Sequence, residues 1–236
     1  MKICFFSDIH GNMEALNSFW KDVRQFKVDM FVFGGDIFGY YYHQIEVMDF
    51  LLKNKIKCLL GNHDRMFLDL LEGKIEERYL INRYGSSYKD IKNRVPQKYI
   101  DFLYGIRSRY DLIVDGLNLV FVHGSLSDPL NGRVYPDAKY DDLALYDGID
   151  VVFMAHTHHK LIRNLPNGTL LMNPGSIGQQ RDGKGCSYCI FDTNTREYAV
   201  NTIEFDTEKL ITEIKKHNER KDMELRLIEV LFRKVK

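Results

Sequence analysis

The order of the apolar runs predicts an α/β protein with a mainly parallel core, finished by shorter antiparallel strands. Three observations carry this expectation. From Met1 to Asp64, β-prone runs alternate with helical spacing in the order β-α-β-α-β. These runs end in polar side chains, at the position where open α/β sheets hold their ligands. Beyond Lys160 the texture changes to short strands split by turn signals such as Pro166-Asn167-Gly168.

Each element has its own justification. The apolar start, Met1 to Phe6, reads as a first strand and runs into Ser7-Asp8-Ile9-His10-Gly11-Asn12. A helix is expected from about Met13 to Phe26, with Leu16, Phe19, Trp20 and Val23 on one face and Asn12 as its N-cap. Met30 to Phe33 is a second strand that ends in Gly34-Gly35-Asp36, where glycine permits a tight turn and a close backbone approach to a carboxylate. Ile45, Val47, Met48, Phe50, Leu51 and Leu52 mark the next helix, and Ile56 to Leu60 a third strand delivering Gly61-Asn62-His63-Asp64. From Arg65 to Arg109 the pattern is helical and rich in Arg, Lys and Tyr, an insertion able to cap a site. Leu119 to Val122 is a buried strand ending at His123, and a helix around Lys139 to Tyr146 leads to the strand Val151 to Met154, which ends in Ala155-His156-Thr157-His158-His159. Short strands at 161–163, 169–172, 187–192 and 198–205 are expected to finish a second sheet, and the tail 207–236 is helical with Leu210, Ile214, Leu227 and Leu231 on its apolar face. The whole forms one expected domain, 1–236, with a cap-like insertion at about 65–109 and a helical tail at about 207–236.

Composition narrows the class. The 236 residues are 44% hydrophobic, enough for a sizeable core. Thirty-three basic residues balance 33 acidic ones, so no overall field argues for nucleic acid or a membrane. The apolar start is too short for a signal peptide or a span, and no later run is long enough. Cys4 and Cys58 fall in core strands, and Cys186-Ser187-Tyr188-Cys189 lacks a second pair, so strand packing is expected rather than zinc or redox chemistry. A cytoplasmic, reduced location follows as an expectation. Tyr40, Tyr41, Tyr42 and the tail leave a homo-oligomer open, with ordinary packing the expected account.

The strand ends, set side by side, hold Asp8 and His10, Asp36, Asn62 with His63 and Asp64, His123, and His156 with His158. Taken singly, each is an ordinary polar turn. Together, imidazoles, carboxylates and one amide oxygen without thiolate suit Mn, Fe, Zn, Co or Ni. They exceed what one ion needs, so two ions are expected, with Asp36 able to bridge them at about 3.5–4 Å. Such a pair clamps phosphate oxygens and activates water.

These clusters resemble the signature of the calcineurin-like metallophosphoesterase superfamily: D-x-H, G-D, G-N-H-[DE], a later His and G-H-x-H. Gly35-Asp36 before Ile37-Phe38-Gly39-Tyr40, Val122 to Ser125, and Asn173 to Gly183 are similar to its small prokaryotic phosphodiesterase branch, often described as diadenosine-tetraphosphatase-like. The resemblance implies a four-layer α/β/β/α sandwich. It implies that Asp8, His10, Asp36 and His158 hold one metal, and that Asp36, Asn62, His123 and His156 hold the other, manganese and iron being favoured. It implies that His63 protonates the leaving oxygen, with Asp64 orienting it; Arg181 is a candidate phosphate contact. Two features depart from the pattern. Ala155 stands where glycine is usual, and Phe38-Gly39-Tyr40 replaces the D-R-G continuation of protein Ser/Thr phosphatases, which argues against a phosphoprotein substrate. The expected activity is a dinuclear phosphodiesterase acting on small phosphodiesters or nucleotides. The alternatives are a dinucleoside polyphosphate hydrolase and a non-catalytic interaction module on the same fold.

Overall fold

The computed structural model describes residues 1–89, 91–139, 143–217 and 219–232. The first sheet grows from β1 (Lys2–Phe6), whose alternate residues serve two cores. Ile3 and Phe5 face the second sheet, while Cys4 and Phe6 face helices. A strand covered on both sides has to be apolar throughout, which is why this one lacks a polar face. β1 pairs in parallel with β2 (Met30–Phe33), which pairs in parallel with β3 (Lys57–Cys58). Their crossovers are α1 (Met13–Val23) and α2 (Gln44–Lys53). Asn12 caps α1 as expected, its Oδ1 accepting from Ala15 N at 3.0 Å.

The second sheet has the order β4-β5-β6-β8-β7, from β4 (Arg109–Val114), β5 (Leu117–Val122), β6 (Val151–Phe153), β7 (Leu161–Asn164) and β8 (Leu170–Asn173). β5, β6 and β8 run parallel, and β4 and β7 close the edges antiparallel. Phe5, Phe121 and Phe153 interlock between the sheets, with Phe121 and Phe153 stacked at 4.6 Å. On the outer face of the second sheet, the described residues place a 3-10 turn at Leu143–Tyr146 and loop residues such as Val134 against Val120, Val152 and Leu171.

Several sequence expectations change in detail. The helix expected around Lys139 to Tyr146 is that 3-10 turn, with 140–142 outside the described residues. The antiparallel strands do not all finish the second sheet. β9 (Ser187–Asp192) and β10 (Tyr198–Thr202) return to the first, β9 lying antiparallel beside β1. Arg109 opens β4 rather than closing the helical segment, which contains α3 (Asn62–Leu71), α4 (Glu77–Tyr84), two 3-10 turns and α5 (Gln97–Gly105). The tail is two helices, α6 (Thr207–Lys216) and α7 (Lys221–Glu229), and its apolar face packs on Tyr41 through Leu210, Ile214, Met223 and Leu227. All four cysteines are buried and unpaired, as the strand-packing account requires. No helix among the described residues is long and apolar enough to cross a membrane.

Candidate metal centre

Both sheets direct the carboxyl ends of parallel strands to one seam. From the first come Asp8 and His10 after β1, Asp36 after β2, and Asn62 and His63 after β3. From the second come His123 after β5, then His156 and His158 after β6. The loops are bound to each other by backbone: Asp8 N donates to Gly35 O at 2.9 Å, His10 N to Asp36 O at 3.0 Å, and Ala155 N to His123 O at 3.1 Å. Asp8, His10, Asp36, His156 and His158 all have left-handed backbone, with φ between 52° and 69°. Asp and His tolerate that region better than most residues, yet each still costs of order 1–3 kcal/mol that the surrounding fold must offset. The left-handed turns at His156 and His158 bring both rings to the seam, where an extended segment would point alternate side chains apart. Ala155 itself is not left-handed, so alanine in place of glycine adds no strain there. Gly61 is needed for space: a Cβ would overlap the Asp36 carboxylate.

The side chains form two groups of potential ligands that share Asp36. One is Asp8, His10, Asp36 and His158; the other is Asp36, His123 and His156. Asn62 Oδ1 joins the second, 3.0 Å from His123 Nε2. The Nδ1 atoms of His10, His123 and His158 each lie 2.6–2.7 Å from a backbone carbonyl, those of Phe38, Gly34 and Gln179. Donation there leaves the inner Nε2 atoms as bare acceptors, the arrangement that prepares imidazole for a metal. The Nε2 atoms of His10 and His158 then face each other at 3.1 Å. Two lone pairs that close repel unless a cation lies between them. A proton is disfavoured there, because burial lowers the pKa of His10 well below the ordinary histidine value and lowers that of His158 too, neighbouring positive charge adding to both against the pull of Asp8. His156 Nε2 is buried without a hydrogen-bond partner, and Asp8 Oδ1 lies 3.2 Å from His158 Nε2. Burial, with the Asp8 and Asp64 carboxylates nearby, raises Asp36 far above the carboxylate range. The donor set therefore fits hard-to-borderline metal cations: buried oxygens and imidazole nitrogens that converge on one seam, with a shared carboxyl that only a cation would keep ionised.

His63 and Asp64 lie together in the first turn of α3, but not in the expected relationship. Asp64 does not orient His63. Its two oxygens accept from four backbone N–H groups, those of Asp36, Ile37, Phe38 and Gly61, at 2.7–3.3 Å. It sits at the third position of α3, where a carboxylate caps the helix start, and it ties that start to the turn carrying Asp36. His63 instead has its Nδ1 3.1 Å from Tyr88 Oη, and that hydroxyl donates to His63 O at 3.2 Å. Its ring packs against Tyr40, Tyr84 and His10 at 4.5–5.2 Å between centroids. Burial, then His10 and Arg181, lower its pKa well below the ordinary value. Arg181 reaches the site: Nη2 donates to Tyr40 Oη at 2.8 Å and Gln179 Oε1 at 2.9 Å. A cavity of about 280 Å³ opens over Asp36, Asn62, His63, His156 and His158, with Arg83, Arg133 and Arg181 at its mouth. Tyr84, Tyr88, Arg83 and Arg133 are absent from the sequence-based set; nothing local to them marks a site. Tyr40, expected to serve packing, edges onto His10 at 4.7 Å and belongs to the site wall.

The profile of the calcineurin-like phosphoesterase superfamily domain matches residues 1–196. The chain belongs to this superfamily. Among its relatives is the uncharacterized protein MJ0912 of Methanocaldococcus jannaschii, 30% identical over 237 residues that cover 91% of this chain and 92% of that one. Solved structures share the fold. A metallophosphoesterase from Sphaerobacter thermophilus superposes with a TM-score of 0.76 at 22% identity, covering 96% of this chain and 98% of its own. The hypothetical protein PH1004 from Pyrococcus horikoshii OT3 gives 0.79 at 17% identity, with 98% and 97% covered. The superfamily members' two-sheet architecture is thus the architecture of this chain, near full length.

Proposed function

We propose that this protein is a dinuclear metal-dependent phosphodiesterase acting on small phosphodiesters or nucleotides. The observation that carries it is the pair of buried ligand groups sharing Asp36, with His156 Nε2 left without a hydrogen-bond partner. In this reading Asp8, His10, Asp36 and His158 hold one ion, and Asp36, Asn62, His123 and His156 the other. When bound, two such ions neutralise phosphate oxygens and lower the pKa of water towards neutrality.

The chain's own groups do the rest. Phe38, Gly34 and Gln179 carbonyls fix the imidazole tautomers and ring planes. Arg181, paired with no carboxylate among the described residues, offers a fork that matches phosphate oxygens. His63 lines the cavity with Nδ1 held by Tyr88, so Nε2 is the ring nitrogen left for a leaving oxygen. Because burial and nearby positive charge hold its pKa down, the proton it would pass is one the ring gains when an anionic phosphate occupies the site. The helix start behind it, through His63 N at 2.8 Å from Asp36 Oδ1, keeps the shared carboxylate in place. The segment 65–109 acts as a cap, bringing Tyr84 and Tyr88 onto His63.

The test is to purify the protein without chelator, measure bound metal, and assay bis(p-nitrophenyl) phosphate before stripping, after stripping and after adding back manganese. About two transition-metal ions per chain, with activity lost and restored, is the expected result. A stripped protein that hydrolyses as fast as the loaded one would overturn the proposal, as would a chain that takes up no metal.

A further inference from the structure

The cavity over the metal ligands is not the end of the depression. It continues into a cleft of about 680 Å³, and the two share Tyr40, Tyr79, Arg83, Tyr84 and Arg181. The far wall of the cleft is α7, through Met223, Arg226 and Leu227, with Val230 just after it. Its volume lies in the range of sites that enclose a small organic ligand.

Among the described residues, the cleft meets the metal cavity along Tyr40, Tyr79, Arg83, Tyr84 and Arg181. Tyr40 and Tyr84, which line it, are the residues that hold the His63 ring at 5.2 and 4.5 Å. The opposite rim of the metal cavity is formed by Asn131, Arg133 and His156 and does not line the cleft. If His63 protonates the leaving oxygen, the group that departs must lie on the His63 side. In hydrolysis, the oxygen of water bonds to phosphorus. The bond from phosphorus to the leaving oxygen breaks with its electron pair on that oxygen, which takes the proton. Whatever is attached to that oxygen then points into the cleft.

The charge in the cleft is specific. Arg65, Arg78, Arg109, Arg196 and Arg220 each pair with a carboxylate. Among the described residues, no carboxylate pairs with Arg83, Arg181 or Arg226, although Glu229 also lines the cleft. In a chain of zero net charge, unpaired guanidinium groups gathered along one cleft are a local field for an anion. Tyr79 presents a ring 51% exposed, and Met223 and Leu227 supply apolar wall, which suits a flat ring beside the phosphate.

We infer that this cleft is a leaving-group subsite for a phosphorylated nucleoside, so that the preferred substrate carries at least one phosphate beyond the one attacked. The inference rests on the phosphodiesterase reading for which end of the substrate enters the cleft, but its test reads binding without turnover.

The full-length, metal-loaded protein is titrated calorimetrically with the non-hydrolysable α,β-methylene analogue of ADP and, separately, with orthophosphate, which needs only the metal cavity. Arg226→Ala, and separately Arg83→Ala, are compared with wild type after circular dichroism confirms the fold. Both sites are helical, where alanine is well tolerated. The expected result is that Arg226→Ala weakens the ADP analogue fivefold or more and leaves orthophosphate unchanged, and that Arg83→Ala weakens the analogue at least as much. The inference is overturned if the analogue binds no tighter than orthophosphate, or if Arg226→Ala leaves its affinity unchanged. A protein without turnover on bis(p-nitrophenyl) phosphate that still shows the Arg226 effect would sink the phosphodiesterase reading and keep the anion subsite.

Discussion

The rim of the metal centre and the wall of the adjoining cleft are built by different means. The rim is held by backbone: strand-end loops hydrogen-bond to one another, five ligand-type residues are locked in left-handed conformation, and Asp64 gathers four N–H groups beneath Asp36. The wall is docked by side chains. Glu219, between α6 and α7, accepts from Ser86 N at 2.6 Å and from Tyr42 Oη at 3.1 Å, while Arg220 Nη1 donates to Asn82 Oδ1 at 2.8 Å. A backbone-held rim permits few substitutions and fixes the chemistry. A wall docked through exchangeable side-chain contacts can change what is bound without disturbing the reaction.

The sharpest way to break this contrast is at the residue both ligand groups share. Asp36→Asn keeps the shape and the bond from His63 N but removes the charge. Activity on bis(p-nitrophenyl) phosphate is expected to fall by more than the roughly 10–100-fold that follows loss of an outer-shell partner, with bound metal dropping below two per chain. In chelator the sign reverses. Because burial and the Asp8 and Asp64 carboxylates raise the Asp36 pKa, an ionised Asp36 is a liability in the metal-free fold. The variant should then melt above wild type in chelator and below it with metal. Wild type melting higher under both conditions would show that the rim is built for stability rather than for cations.

What was legible in the sequence follows the same division. Asp8, His10, Asp36, Asn62, His63, His123, His156 and His158 were readable because topology alone brings the ends of parallel strands to one seam. Asp64 was readable as a site residue but not in its role. Adjacent residues on a helix point about 100° apart, since a turn takes 3.6 residues, so Asp64 caps α3 while His63 faces the cavity. Arg109 to Val114 alternates half-buried and exposed residues and carried a strand signal, masked by the helical pattern before it. The return of β9 to the first sheet, beside β1, depends on a long-range pairing that no local pattern encodes. Tyr84 and Tyr88 meet His63 only because a loop folds back, which no spacing records.

Tyr88 therefore sharpens the comparison, as a buried residue of the cap that acts on a rim residue. Its hydroxyl is fully buried and holds His63 Nδ1. His63→Ala is expected to lower kcat by about 10²–10⁴-fold, the usual worth of a general acid. Tyr88→Phe removes both hydrogen bonds of the hydroxyl; the one that holds Nδ1, of about 1 kcal/mol, should lower kcat about five- to tenfold when lost, with KM little changed and both metals retained. Made together, the two changes should cost no more than His63→Ala alone, because a positioning residue has nothing left to position. Additive losses would mean that Tyr88 supports the cap and not His63.

The smallest effect lies where the wall meets the turn after Asp36. His43 Nε2 is 2.6 Å from Glu213 on α6, and its Nδ1 is 3.3 Å from Glu46. The hydrogen bond to Glu213 raises its pKa from 6.5 to about 9, against partial burial and with the charges of Glu213 and Glu46 adding to the rise. A raised folded-state pKa means that the contribution is complete below pH 6.5 and is lost as pH climbs through about 9. The side chain is 36% exposed, so solvent screening limits the pair to about 1 kcal/mol or less. For a chain this long, that corresponds to a melting-temperature shift of at most about 2–4 °C. His43→Gln should melt below wild type at pH 6, and the gap should close by pH 10. A gap constant across that range would show that α6 is held to the Tyr40–Tyr42 turn by apolar packing on Tyr41 alone, and that the wall has no titrating latch.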